Sequence, residues 1–266
     1  MLELILIFIA ILLFCTYCPK GKPGLKDFQG FAYAHRGLHG NGIPENSMAA
    51  FRASLEKGYG IELDVHLLKD GNLAVIHDSL LNRTTGQPGH VEDLTTEQLK
   101  DYPLEGTEET IPTFREVLDL YDGKAPIIVE LKPENGNQAA LSEAVCNMLE
   151  SYQGAYCLES FDPRCVAWVK KNRPHLVRGQ LTENFFKSRS DLPDYLKFAL
   201  AHNLLNFMGR PDFVAYRFAD RHDSFTTALC RKLWKCQGVT WTITSKEDFD
   251  TAVAEGWLPI FEGFEP

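Results

Sequence analysis

Three acidic residues, two histidines and two cations in this chain have the types and spacing to bind and cleave an anionic group. Glu62 and Asp64 stand two apart within the apolar run GIELDV, so on a strand they leave the same face. Glu130 sits in an equivalent setting, IIVELK. Three carboxylates converging at one place repel each other unless a cation joins them. An all-oxygen set suits Mg²⁺ or Ca²⁺ better than zinc. The alternative is that each carboxylate makes its own ion pair with a neighbouring lysine or arginine. His35 and His77 are the candidate general acid and base, since imidazole exchanges protons near neutrality. Arg36 offers a fork for a phosphate-type oxygen and Lys132 a point charge, while Gly37 lets the backbone turn close beside a ligand. Trp241, in VTWTIT, either lines the site or packs in the core. Glu45 and Asn46 either reach the site or cap the next helix. His66 shares a face with Glu62 and Asp64. The remaining histidines, among them His39 and His90, have no comparable setting.

These residues need a scaffold that brings distant segments together. Eight short apolar runs read as strands: Phe31–His35, Gly60–Val65, Pro126–Leu131, Ala155–Phe161, Leu176–Leu181, Asp212–Arg217, Gly238–Ile243 and Leu258–Phe261. Between them, Ser47–Lys57, Gln138–Ser151, Arg164–Asn172, Ser224–Lys235 and Glu247–Ala254 have one-sided helical spacing, with Asn46, Asp162-Pro163 and Ser245 as helix starts. The alternation predicts an α/β fold, a (β/α)8 TIM barrel, whose functional groups come from the C-terminal strand ends. His35, Glu62, Asp64 and Glu130 fall there. Asp70-Gly71, between two strand-like runs, signals a hairpin. Leu73–His77 is therefore antiparallel to the second strand and opens an insertion of about residues 67–110, with a turn at 82–86 and a short helix over Thr95–Asp101.

The 266 residues suffice for one such domain over 31–266, and the net charge of -9 without a dense basic run excludes broad nucleic-acid binding. Of seven cysteines, Cys15 and Cys18 lie in the first eighteen residues, and the other five are scattered, lack zinc-type spacing and read as free thiols of a reducing compartment. Residues 1–18 are a hydrophobic helix and expected membrane anchor, and 19–30, rich in Gly, Pro and Lys, a linker. The apolar run is at the short end of what spans a bilayer. Lys20, Lys22 and Lys26 follow it, which places the catalytic domain on the cytoplasmic side.

Taken together, AHRG (34–37), PENSMAAF (44–51), IELDVHLLKDG (61–71), VIHD (75–78), RTTG (83–86), VELK (129–132), ESFDP (159–163) and WTIT (241–244) resemble the glycerophosphodiester phosphodiesterase family. The resemblance implies a barrel with an insertion after its second strand, and metal-dependent hydrolysis of a small glycerophosphodiester to glycerol 3-phosphate and an alcohol. It implies His35 and His77 as the acid/base pair, Glu62, Asp64 and Glu130 as metal ligands, and Arg36 and Lys132 at the phosphate. Thr244 stands where members often carry asparagine, IFEGFEP replaces a longer aspartate-containing motif, and Arg217 is bulky for its strand end. Two rival readings are a phospholipase or lysophospholipase D acting on membrane lipid, and a catalytically silent barrel that binds phosphodiesters.

Overall fold

In the computed structural model, which describes residues 1–19, 23–188 and 191–266, the alternating segments close on themselves. The strands are β1 (Tyr33–His35), β2 (Gly60–Leu67), β3 (Leu73–Val75), β4 (Ile127–Leu131), β5 (Tyr156–Ser160), β6 (Arg178–Thr182), β7 (Phe213–Arg217), β8 (Gln237–Ile243) and β9 (Trp257–Phe261). Eight pair in parallel in the order β1-β2-β4-β5-β6-β7-β8-β9, and β9 returns to β1. This is the expected TIM barrel. β3 runs antiparallel to β2, with Val65 opposite Val75 and Leu67 opposite Leu73, as the Asp70-Gly71 turn requires.

The period of two decides where each side chain goes. Ile61, Leu63 and Val65 of β2 and Ile127, Val129 and Leu131 of β4 face an outer apolar layer shared with the helices. The alternate residues face inward. Tyr33, Ile128, Leu181, Phe213, Val239 and Ile260 belong to a second cluster that fills the barrel. Phe213 fits there because residue 179 is glycine: a Cβ at Gly179 would lie 2.1 Å from the Phe213 ring. At the N-terminal end of the strands the chain turns through a 3-10 segment, Pro23–Phe28, inside the stretch expected as a linker. Phe28 is buried and its carbonyl accepts from Tyr33 Oη at 2.8 Å.

The helices are α1 (Leu2–Thr16), α2 (Met48–Glu56), α3 (Asn82–Thr85), α4 (Phe114–Tyr121), α5 (Gln138–Leu149), α6 (Pro163–Asn172), α7 (Asp194–Ala201), α8 (Asn206–Gly209), α9 (Phe225–Lys232) and α10 (Lys246–Ala254). Asp162 and Ser245 cap their helices as the sequence suggests, and Ser224 caps α9. Asn46 does not: Ser47 is the cap, accepting from Ala50 N. α4, α7 and α8 add to the expected set. α4 had a signal in Thr113-x-x-Glu116, which forms a reciprocal capping box. The insertion has its own small core of Leu68, Ile76, Leu81, Val91, Leu94 and Leu99, and residues 82–85 form a helical turn closed by Gly86. Among the described residues no helix is long and apolar enough to cross a membrane. The helical part of 1–18 ends at Thr16, before Tyr17 and Cys18.

Candidate active site

Pairing of β2 with β4 places Asp64 opposite Glu130, and inward alternation adds Glu62 to the same wall. One oxygen from each of the three carboxylates lies within 4.8 Å of the others, and all three residues are buried. Burial, reinforced by Asp64, Glu130 and Glu159, pushes the Glu62 carboxyl well above its ordinary range. Glu130 is likewise raised by burial. Burial alone would raise Asp64 too, but Lys132, His77 and Arg36 hold it well below that range.

The separate-ion-pair reading is realised only in part. Lys132 Nζ lies 3.0 Å from Glu130 Oε1 and 3.3 Å from Asp64 Oδ1, and Arg36 Nε is 3.4 Å from Asp64 Oδ2. Among the described residues Glu62 has no lysine or arginine side chain beside it: His35 Nε2 lies 3.9 Å away, and the Arg36 backbone N–H donates to it at 3.4 Å. Asp64 Oδ1 is buried and accepts no hydrogen bond among the described residues. An under-neutralised, buried, all-oxygen set fits a divalent cation.

The two histidines arrive from different substructures. His35 ends β1, and its Nδ1 is held 2.5 Å from Glu262 Oε2. Burial lowers the imidazole's proton affinity, with Glu262 acting in the other direction. The same contact brings the Glu262 carboxyl down to about 2, so it is ionised. His35 Nδ1 therefore carries the proton that it donates to Glu262, and Nε2 faces the carboxylates. His77 follows β3 on the inserted hairpin. Its Nδ1 lies 2.6 Å from Asp78 Oδ1, and Asp78, held below the carboxylate range chiefly by that bond, also accepts from Arg83 Nε.

Turn geometry brings the rest of the first loop inward. Arg36 and Gly37 both have positive φ, and a Cβ on Gly37 would lie 2.8 Å from Ala50 Cβ, so only glycine fits. Glu45 bonds Arg36 Nη1 at 3.0 Å and Arg83 Nη1 at 2.9 Å, and Asn46 Nδ2 donates to Asp64 Oδ2 at 2.8 Å. Both residues thus reach the site. His66 borders the groove with both ring nitrogens engaged: Nδ1 meets Glu92 at 2.6 Å and Nε2 meets the His77 carbonyl at 3.1 Å, so it supports the hairpin. Trp241 lines the site edge-on to Phe161. Arg217 turns to Glu183 and Asp220, at 3.6 and 3.7 Å.

Two spaces meet here. A cavity of about 100 Å³ is lined by His35, Arg36, Glu62, Glu159, Trp241 and others, the share of about three liquid waters. A groove of about 720 Å³ runs past Asp78, Leu80, Arg83, Lys132 and Phe161. His77 and Glu130 line both. Sequence reasoning missed Glu262, Asp78 and Glu159 as site residues. Asp78 and Glu159 lay within the motifs VIHD and ESFDP, and Glu159 pairs in register with Glu130. Glu262 had no signal beyond its place after the last strand.

Comparison with known proteins follows this geometry. Residues 35–261 match the model of the glycerophosphoryl diester phosphodiesterase family. A glycerophosphodiester phosphodiesterase of Bacillus altitudinis is 39% identical over 161 residues, 56% of this chain and 65% of that one. One from Caldanaerobacter subterraneus subsp. tengcongensis is 39% identical over 158 residues, again 56% of this chain and 65% of its own. The matched stretch thus spans just under two thirds of each relative. In fold, the chain is similar to an Oleispira antarctica phosphodiesterase solved with its product sn-glycerol 3-phosphate, at a TM-score of 0.73 and 22% identity, covering 89% of this chain and 94% of that one.

Proposed function

This chain belongs to the glycerophosphoryl diester phosphodiesterase family, and from that membership and the geometry we propose that it hydrolyses a glycerophosphodiester to glycerol 3-phosphate and an alcohol. The observation that carries the reading is the meeting of two spaces of unequal size at His77 and Glu130, between Arg36 and Lys132. The small cavity suits a three-carbon triol and the open groove a variable alcohol. A similarly folded phosphodiesterase is solved with its product sn-glycerol 3-phosphate, which supports the substrate class.

Arg36 and Lys132 hold the phosphate between the spaces and share the charge that develops on its oxygens. Glu62, Asp64 and Glu130 would hold a divalent cation, Mg²⁺ or Ca²⁺, which when bound supplies further positive charge there. His35, buried and disfavoured as a cation, takes the proton from the nucleophile at Nε2. That nucleophile is water, or the neighbouring glycerol hydroxyl by way of a cyclic phosphate that water then opens to glycerol 3-phosphate. His77 lines the groove where the alcohol leaves and returns a proton to its oxygen. The full chain, offered glycerophosphocholine, glycerophosphoethanolamine and lysophosphatidylcholine with Mg²⁺, Ca²⁺ or EDTA, tests this. Glycerol 3-phosphate is expected from the first two with metal and not with EDTA. No turnover of any substrate would leave the silent barrel. Turnover of the lysolipid alone would install the lysophospholipase D reading instead.

We also propose that the chain is attached to a membrane through residues 1–18, with the barrel on the cytoplasmic side. The apolar helix, the lysines after it and the seven unpaired cysteines support this.

A further inference from the structure

From Leu2 to Ile11 α1 is exposed all the way round. Each residue from Leu4 to Ile9 keeps between 43% and 71% of its surface open, and six consecutive residues span more than one helical turn. A partner helix or protein groove would cover one face and leave the others in water. Hydrocarbon covers all of them. At 15 residues the helix is about 22 Å long, against about 30 Å for a bilayer core, so it is too short to cross, and Glu3 in its first turn is the one charged side chain it carries toward the layer.

Its root is fixed rather than tethered. Arg210 Nη1 donates to the carbonyls of Phe14 at 2.6 Å and Tyr17 at 3.2 Å, satisfying acceptors at the helix end. The same guanidinium lies over both rings, 4.6 and 5.1 Å from their centroids. Asn206 Nδ2 meets Cys18 Sγ at 3.4 Å, and Phe14 stacks on Phe207. Beside this dock, Tyr17 and Trp234 meet edge-on at 5.0 Å, the residue types that settle at the level of lipid headgroups. The segments around the dock, 168–175, 203–211 and 229–237, contain no Asp or Glu in a chain of net charge -9, and carry Lys171, Lys232 and Lys235 exposed. Apolar helix, aromatic pair and basic surface thus succeed one another as acyl chains, interface and anionic headgroups do.

The dock also has a fixed place on the barrel. Arg210 and Trp234 lie just before β7 and β8, at the N-terminal strand ends, whereas His35 and Glu130 lie at the opposite ends. We propose that this N-terminal pole of the barrel, with α1 inserted, seats on an anionic bilayer surface and points the catalytic mouth away from it, toward water. The inference deepens the membrane attachment proposed above and makes a water-borne glycerophosphodiester, rather than a lipid of the same leaflet, the reachable substrate.

The test is flotation of the full chain with vesicles of phosphatidylcholine, alone or mixed with phosphatidylglycerol, and of the same lipids brominated in the acyl chains. Binding is expected to the anionic vesicles and to fall with salt. The triple variant K171Q/K232Q/K235Q is expected to bind about 10²-fold more weakly, from about fivefold per lysine. Brominated lipid is expected to quench tryptophan emission in the wild type and in Trp241→Phe, and much less in Trp234→Phe. Bound enzyme is expected to turn over glycerophosphocholine as fast as free enzyme. Failure to float, or self-association through α1 in place of floating, would overturn the surface. Quenching lost in Trp241→Phe and kept in Trp234→Phe would overturn the orientation. Since flotation and quenching do not read catalysis, neither outcome bears on the hydrolase assignment.

Discussion

The two ends of the barrel solve opposite problems. At the N-terminal ends of the strands Phe28, Tyr33 and Phe213 close the interior with matched apolar surface, and Tyr33 Oη finds a carbonyl. Among the described residues that interior is filled by apolar side chains. At the C-terminal ends Glu62, Asp64, Glu130 and Glu159 are buried together, and the first, third and fourth are pushed toward their neutral forms by that burial. The barrel interior is closed by the chain itself at one end, and at the other it is completed by what binds it. Cost in stability and gain in function should therefore separate along the barrel axis.

The largest expected effect tests whether a cation completes the upper pole. Chelation should lower kcat at least about 10³-fold, since charge stabilisation by a metal is worth several kcal/mol and each 1.4 kcal/mol is about tenfold. Restoring Mg²⁺ or Ca²⁺ at about 100 times its Kd should stabilise the fold by about 2.7 kcal/mol. For a chain of this size that raises Tm by about 5–10 °C in calorimetry. A melting temperature indifferent to both ions would mean that the carboxylates are not a cation site.

Next comes a paired comparison between the poles. His77→Ala should reduce kcat about 10²- to 10⁴-fold and move Tm little, because the His77 side chain is 30% exposed and its main bond is to its neighbour Asp78. Phe213→Ala should do the reverse. Emptying a fully buried ring costs about 3–5 kcal/mol of stability, while the folded fraction keeps its turnover per molecule. Denaturant titration and active-site-normalised rates measure both. Comparable losses of kcat in the two variants would dissolve the division between the poles.

How far these features were legible in the sequence depends on the range of the interaction. Period-two alternation and the Asp70-Gly71 turn are local, so all eight barrel strands and the antiparallel hairpin could be read from sequence. The carboxylate set was legible because the spacing on β2 and the equivalent setting in VELK on β4 place polar groups on inward positions. α7 and α8 were not, since their apolar residues follow no long one-sided pattern. The loops were harder still. Asn46 looked like a cap because its type suits one, and only the fold shows that Ser47 takes that place and frees Asn46 for Asp64. Glu262 lies 227 residues from its partner His35. No local pattern could join them, because barrel closure alone brings the last strand beside the first.

That closure contact carries the smallest and most discriminating prediction. In Glu262→Gln the amide oxygen can still accept from His35 Nδ1, so the ring keeps its orientation. Turnover at the plateau should fall about tenfold or less, near the lower end of what a histidine's hydrogen-bond partner is worth. The negative charge is lost, however, and that charge favours the imidazolium. His35 should then hold its proton less firmly, remain a base to lower pH, and move the acid limb of kcat/KM downward. Stability should respond in a different window. Glu262, at about 2 when folded and about 4.3 when unfolded, stabilises above the latter value and loses that contribution as pH falls toward the former. The wild type's margin over the variant should therefore shrink from about pH 5 toward about pH 2. An acid limb that stays in place while the stability margin closes would leave the Glu262–His35 contact intact and remove His35 as the base, handing that role to the histidine on the hairpin.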